Sequence, residues 1–574
     1  MKYTLEQNLD SRKGVASNLH GFIERYMDTG FKSKWSGYWS PPYKFLDYYA
    51  FKLNGVWLGP ETLNATEYGE SFAYHHETDS LQIRENLKLP ESHPGFKVEL
   101  KIQNRTEEKK AVQIGLELGL DIRRKDQDIG PEDYNIEKNS GRVTFSSDDK
   151  KLVLSTKDEV KIEGNKHVKE HYPDDRQRAV VPGQLTIRKE LEPNGSKTLE
   201  LDFSTTEVSF GKLDGTDSRM EGDLSRCFNY CIDSMENLVY DREGKGIIAG
   251  HPWFQSYWAR DSLISVLGLV DAGHFELSRE ILENFAEENL TGKINLDGTT
   301  EKTGREDHYP LYILTSEKLK NHDSISKKIE EARKEAMKNL DIKNGVVQHD
   351  PSGTWMDTIE REEAIDIQSL WLEAADIMDD YRVKELEKGM KNFVKEDKVV
   401  DELGEPKNTF NVIVPVIFGH FDDKVAQKVM ERINGEFISQ YGMRTRSAMD
   451  PGYESDGYHT GSVWGLTTAL GAAANFKVGN NTQGLNLLKK MEKFLDQNQV
   501  GALPEVVDAE TGESLGCSEQ AWSAAMFVHA IDSYLLDEKD GVPQSFSAKR
   551  TNKRIDGEKL EITSSEGEIN VEEM

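Results

Sequence analysis

From about Asp10 to Phe210 apolar and polar residues alternate with a period of two in short runs. They are KVELKIQNRT (97–106), AVQIGLELGLDI (111–122), RVTFSS (142–147), KLVLST (151–156), QLTIRKEL (184–191) and KTLELDF (197–203). Turn signals fall between them, among them Glu163-Gly164-Asn165 and Pro193-Asn194-Gly195. Since no helix-length segment separates the runs, the pattern predicts an antiparallel β-sandwich and not a parallel sheet. An aromatic stretch at 33–59 carries an Asn54-Gly55 hairpin signal and is expected in the sandwich core.

Near residue 215 the period changes. From Gly222 to about Leu536 it is helical, with twelve candidate helices at 222–242, 260–272, 274–288, 308–320, 323–339, 361–380, 382–395, 408–419, 421–433, 460–476, 481–497 and 517–536. Segment 274–288 sets Phe275, Leu277, Ile281, Leu282 and Phe285 among charges, as an outer helix would. Segment 460–476 is nearly uncharged and rich in Ala and Gly, as an inner helix packed on all sides would be. Alternation of dry and charged helices predicts an (α/α)6 barrel of six hairpins, with loops at one end forming a funnel. After about Asp537 hydrophobic density collapses. The expected organisation is a β-sandwich over 1–215, the barrel over 216–538 and a polar, mobile tail over 539–574, in which KLEITSS could pair as an edge strand.

Composition narrows the partners. The chain has 574 residues and a formal net charge of −30, from 102 acidic against 72 basic residues. Such a surface repels phosphates, so neither nucleic acid nor an anionic membrane is an expected partner. Excess acid can also mark a salty environment, but Lys outnumbers Arg by about two to one, against that adaptation. Cys227, Cys231 and Cys517 are too few for a disulfide framework, and no His stands near the first two. They read as buried thiols. MKYTLEQNLD has no apolar signal core, and no 18-residue apolar run occurs, so a cytoplasmic protein is expected.

Four stretches carry candidate chemistry. In HPWFQSYWARDSL (251–263), Trp253, Phe254, Tyr257 and Trp258 crowd beside Arg260-Asp261. Flat rings beside a cation and a carboxylate suit a polyhydroxyl ring, although the same rings could be core. In GTWMDTIEREEAIDIQSLW (353–371), Trp355 and Asp357 precede a long amphipathic helix. A carboxyl beside an indole meets a poorer solvent and keeps its proton, as a general acid for a glycosidic oxygen must; the alternative makes Asp357 a helix N-cap. In ALPEVVDAETGESLGCSEQAWS (502–523), Pro504 stiffens the approach to Glu505, while Glu519 starts a helix and reads as a cap or a support, with Trp522 just beyond. In RTRSAMDPGYESDGYHTGSVWG (444–465), Tyr458, His459 and Trp464 could line a sugar pocket; His459 has no second ligand at metal spacing. Asp307, ahead of His308-Tyr309-Pro310-Leu311, is a further pocket candidate or a cap.

Together W-x-R-D, T-W-M-D, L-P-E and G-C-x-x-Q-A-W-S, in that order, resemble the amylo-α-1,6-glucosidase part of glycogen-debranching enzymes and, more broadly, glucoamylase-type glycoside hydrolases. The resemblance covers about residues 220–536, and the β-rich leader is similar to the sandwich that precedes the barrel in microbial members. It implies an inverting exo-hydrolase that releases glucose from α-1,6 branch points of glycogen or another α-glucan oligosaccharide. Asp357 would be the acid, Glu505 the base, and Arg260 with Asp261 the anchor for the terminal glucose. Trp253, Trp258 and Trp355 would stack on the sugar, with Asp307, Tyr458, His459, Trp464 and Trp522 lining the pocket. No metal or organic cofactor is implied. The chain departs from the family at REDHYPLY (305–312), bulkier and more charged than the usual small-residue stretch, and at TIEREEAID (358–366). No β/α-alternating segment is present for a glucan-transferase domain. A glucoamylase, a trehalose hydrolase and a noncatalytic glucan-binding protein remain open alternatives.

Overall fold

In the computed structural model the alternating runs pair into two antiparallel sheets. The first has nine strands, in the order Tyr3–Leu5, Leu63–Tyr68, Ser71–Glu77, Leu81–Lys88, Gly95–Asn104, Ser196–Thr205, Lys150–Ser155, Arg142–Ser147 and Asn135–Asn139. The second has eight: Lys161–Glu163, Gln184–Leu191, Lys110–Arg124, Tyr43–Leu53, Gly37–Ser40, Gly21–Tyr26 and Lys13–Asn18 in order, with Val56–Trp57 folded onto Tyr43–Leu53. All six runs read from the sequence are strands. The Asn54-Gly55 turn forms as expected, with positive φ at both residues (48° and 91°). Described are residues 3–163 except 92 and 140, then 179–205, 215–303, 306–322, 325–396, 398–495, 497–536, 548–556 and 559–563. Gly164 and Asn165 of one turn signal, Arg305 of REDHYPLY and residues 564–574 of the tail lie outside them.

The two sheets share one hydrophobic core, which includes Tyr38, Tyr48, Tyr49, Phe51, Phe96, Leu100, Leu116 and Phe203. Rings meet across it: Tyr38 and Tyr49 of one sheet lie 5.2 and 6.0 Å from Phe96 of the other. The aromatic stretch at 33–59 therefore supplies core, as expected. A buried ion pair, Arg25 with Glu85, also joins the sheets, and Tyr49 Oη donates to the same carboxylate at 2.6 Å. Contacts assign residues 1–212 and the short return 498–500 to this unit, and the rest of the chain to a second.

The second unit is helical. Each of the twelve candidates overlaps a helix: α1 (Ser225–Asn237), α2 (Ala259–Asp271), α3 (Phe275–Glu287), α4 (His308–Lys320), α5 (Lys327–Ala336), α6 (Ile365–Ile377), α7 (Val383–Met390), α8 (Val414–Ile417), α9 (Asp423–Glu436), α10 (Gly465–Lys477), α11 (Asn481–Glu492) and α12 (Ala521–His529). Helix α2 packs on α12 and α4, α4 on α6, α6 on α8, α8 on α10, and α10 on α12. Of the others, α3 and α5 pack on α4, α7 on α6, α11 on α10, and α1 on α12. The dry segment behaves as read: α10 is buried at ten of its thirteen positions, whereas α3 buries one face through Leu277, Ile281, Leu282 and Phe285. Glycine sets one close approach. A Cβ at Gly268 of α2 would lie 2.5 Å from the Ala525 carbonyl oxygen of α12.

The sequence reading missed short ladders between the helices. Gly250–His251 pairs with Glu519–Gln520, and Val463–Trp464 with Val506–Val507. Two residues are too few to show a period, and their partners lie more than forty positions away. In the tail, Lys559–Thr563 is the edge strand of a three-stranded sheet with Ala548–Asp556 and Gly215–Gly222, so the KLEITSS expectation holds for its first five residues.

Candidate active site

Most of the candidate residues gather where the interlocking helices begin. Arg260 and Asp261 lie in the first turn of α2, Asp307 immediately precedes α4, and Trp355 and Asp357 lie in the loop ahead of α6. Tyr458, His459 and Trp464 lead into α10, and Trp522 is the second residue of α12. The 463–464 ladder sets Trp464 opposite Val506, next to Glu505; the 250–251 ladder holds the chain just ahead of α12.

Arg260 is the electrostatic hub. Its Nε donates to Asp307 Oδ2 at 2.5 Å and its Nη1 lies 3.7 Å from Asp357 Oδ2. Burial alone would depress this guanidinium, but Asp307, Asp357 and Asp261 more than offset it and hold the cation in place. Asp261 Oδ1 accepts from Gln520 Nε2 at 3.2 Å. Asp357 is not an N-cap, because α6 starts eight residues later from Ala364. Asp307 occupies the N-cap position of α4, yet its side chain makes no capping bond and turns to Arg260.

Glu505 is 2% exposed. Tyr458 Oη donates to its Oε1 in a short hydrogen bond, and the Cys517 N–H donates to Oε2 at 2.9 Å. Gly516 makes the approach possible, since a Cβ there would lie 2.4 Å from Oε2. Burial raises the Glu505 pKa; the two donors, which favour the carboxylate, offset this only in part. Burial beside the Glu505 charge pushes the Tyr458 phenol far up, so it stays protonated as a donor. Glu519 is ruled out as a cap: it lies ahead of the α12 N-cap, Gln520, with its carboxylate taken by Ser234 Oγ and His251 Nδ1, both at 2.8 Å. It fixes the 250–251 ladder, the supporting role expected of it.

Aromatic surface spans the two carboxylates. Trp355 meets His459 and Trp464 edge-on at 5.4 and 5.6 Å, and Tyr458 packs on Trp464 at 4.6 Å. Trp464 also lies 5.8 Å from Trp522. His459 Nδ1 bonds Thr358 Oγ1 at 2.8 Å, next to Asp357, and Trp355 Nε1 donates to Asn411 Oδ1 at 2.7 Å. Trp253 packs on Phe254, and Trp258 lies under the Lys293 ammonium at 4.8 Å. Tyr257 is core, fully buried with Oη donating to the Tyr240 carbonyl. Three buried polar atoms in the cluster have no protein partner: Arg260 Nη2, Asp307 Oδ1 and Trp522 Nε1. Two donors and one acceptor, left unpaired where solvent is excluded, match the rim of a polyhydroxyl ring. Among the described residues no three His, Cys, Asp or Glu side chains gather as a metal site requires.

Gln520 and Cys517, the latter read only as a buried thiol, had no expected role at the site, and neither had Thr358 and Asn411. The first two stand in the G-C-x-x-Q-A-W-S motif, which could have flagged them; the other two carried no signal.

Comparison with known families separates the same residues into two overlapping matches. The amylo-alpha-1,6-glucosidase family model matches residues 228–405, which hold Arg260, Asp261, Asp307 and Asp357. The mannosylglycerate hydrolase MGH1-like glycoside hydrolase domain matches residues 353–523, which hold Asp357, Tyr458, Trp464, Glu505 and Trp522. The chain carries a glycoside hydrolase domain. Among solved structures the hydrolase resembles a bacterial glucoamylase complexed with acarbose, at 13% identity and a TM-score of 0.57 over 91% of this chain and 94% of that one. It also matches the GH63 mannosylglycerate hydrolase from Thermus thermophilus in complex with glucose, at 13% identity and a TM-score of 0.45, over 53% of this chain and 99% of that one. No curated protein sequence matches the hydrolase. Among its described residues no helix is long and apolar enough to cross a membrane.

Proposed function

We propose that the protein is an inverting exo-acting glycosidase that releases glucose from α-1,6 stubs of glycogen-like glucans. The carrying observation is the pair of unlike carboxylates: Glu505, buried between two donors, and Asp357, held at the hub that Arg260 forms with Asp307. Asp357 gives a proton to the glycosidic oxygen as the bond to C1 breaks. Glu505 takes a proton from a water that attacks C1 from the opposite face, and the product is the β-anomer. Burial raises the Glu505 pKa and makes it a stronger proton acceptor, while Tyr458 and the Cys517 N–H favour the ionised form that a base needs. Arg260, Asp261, Asp307 and Trp522 take the hydroxyls of the terminal glucose, and the rings of Trp355, Trp253 and Trp258 its apolar faces. The succession α12, α2, α4, α6, α8, α10 and back to α12 supports an (α/α)6 barrel with the site at one mouth. The sandwich over the first 212 residues supports reading the chain as a barrel preceded by a separate domain.

A second reading has its own support. The MGH1-like match alone spans both carboxylates, which favours a small glycoside, such as a glycosyl glycerate, over a branched glucan. The test is proton NMR of sugar release from a glucan bearing single α-1,6 stubs, maltotriose, trehalose and mannosylglycerate. β-Glucose from the stub glucan supports the proposal. Release mainly from maltotriose or trehalose changes the linkage and keeps the site; release from mannosylglycerate favours the second reading. α-Glucose as first product rules out single displacement, and no release from any substrate favours a noncatalytic glucan-binding protein.

A further inference from the structure

Gln520 links the two halves of the site. It is 1% exposed, its Nε2 donates to Asp261 Oδ1 at 3.2 Å, and its Oε1 accepts from Cys517 Sγ at 2.7 Å, nearer to that thiol than its other acceptor, the Glu519 carbonyl oxygen at 3.3 Å. The same Cys517 donates its backbone N–H to Glu505 Oε2. Gly250 walls in the amide: a Cβ there would lie 2.5 Å from Cys517 Sγ, Gln520 Oε1 and the Glu519 carbonyl oxygen. A primary amide has one accepting and one donating end. A thiol that donates to the oxygen leaves the NH2 to face Asp261. The reversed amide would set a carbonyl oxygen against a carboxylate with no hydrogen between them.

We infer that Gln520 is a positioning residue for recognition of the terminal sugar. It holds Asp261 in its sugar-binding orientation, and the Cys517 thiol sets the direction of the Gln520 amide. The inference rests on the reading of Asp261 as a hydroxyl anchor, given above. Cys517 then serves the base through its main chain and the anchor through its side chain, so one short turn aligns both.

The test is steady-state kinetics on the stub glucan for wild type, Asp261→Asn, Gln520→Glu, Cys517→Ala and Cys517→Ser. Glucose titration calorimetry on the same set runs in parallel. Gln520→Glu is expected to raise KM about tenfold and to change kcat less than about threefold, because an anchor to non-reacting hydroxyls acts in ground and transition states alike. Relative to wild type at the same pH, that KM recovers in acid, where the introduced carboxyl regains a proton and can donate. Cys517→Ala raises KM by a smaller factor, and Cys517→Ser, which keeps a donor, restores it toward wild type. A merely structural role would not follow the donor in this way. Unchanged KM in Gln520→Glu, or Cys517→Ser behaving as Cys517→Ala, overturns the inference. If Asp261→Asn raises KM while Gln520→Glu does not, only the Gln520 inference fails; if Asp261→Asn leaves KM unchanged, the anchor reading fails first. Should wild type release no sugar, glucose affinity becomes the readout with the same order expected, and absence of glucose binding by wild type overturns both.

Discussion

At the residue scale, each acidic group of the site has a role set by its neighbours and not by its type. Asp307 turns away from the cap its position offers and pairs with Arg260; Glu519 is locked by Ser234 and His251; Glu505 sits dry between Tyr458 and Cys517. Asp357→Asn and Glu505→Gln are each expected to keep the fold, checked by circular dichroism, and to lose about 10²–10⁴ in kcat, because each removes one proton transfer. Near-normal turnover in either would refute that assignment. The acid limb of kcat/KM should lie above the usual glutamate range, since burial raises Glu505. Tyr458→Phe removes a donor that favours the carboxylate, so this limb should move to still higher pH; a shift downward would contradict the proposed base. As candidates, Asp357 and Glu505 were legible in the sequence, because tryptophan and proline flank them. The hub and the relay through Gln520 were not, because they join residues that lie 47 and 259 positions apart.

At the element scale, the interlocking helices are tied at both ends. Opposite the site, Asp271 at the end of α2 takes Lys318 of α4 at 2.6 Å and His529 at the end of α12 at 2.6 Å. Burial would raise the Asp271 pKa, but His529 and Lys318 outweigh it and hold it below the ordinary value. A depressed folded pKa means stability that is present above the unfolded aspartate value and lost as pH falls through the folded one. Asp271→Asn should therefore cost about 3 kcal/mol in urea unfolding at neutral pH, with the gap to wild type closing in strong acid. Gly268→Ala should cost about 1–3 kcal/mol, since its Cβ would meet the α12 backbone, which cannot rotate aside. An unchanged melting temperature would mean that α2 and α12 can separate freely. Helix count and dryness were visible in the sequence, as α3 and α10 illustrate. The pairing of α2 with α12, at opposite ends of the helical segment, was not.

At the scale of the whole molecule, a net charge of −30 works against compactness. Raising NaCl from ~0.01 to ~0.15 M shortens the Debye length from about 30 to about 8 Å, which screens that long-range repulsion. Exposed ion pairs such as Lys327–Glu331 weaken too, but each is worth only about 0–1 kcal/mol, so repulsion dominates and the melting temperature should rise with salt. A fall would show that local pairs outweigh the net charge. The sequence by itself determined the strand runs of the two antiparallel sheets, the twelve helices among the described residues and the change of period near residue 215, and it marked the four stretches proposed to carry chemistry. Periodicity and turn chemistry act over a few residues, and a single chain displays them directly. Tertiary structure alone decided that Asp307, Asp357 and Glu519 make no cap, that Glu519 supports the 250–251 ladder, and that Asp307 and Asp357 meet at Arg260. Those roles depend on desolvation and on charges brought close from distant positions, and neither exists until the chain has folded.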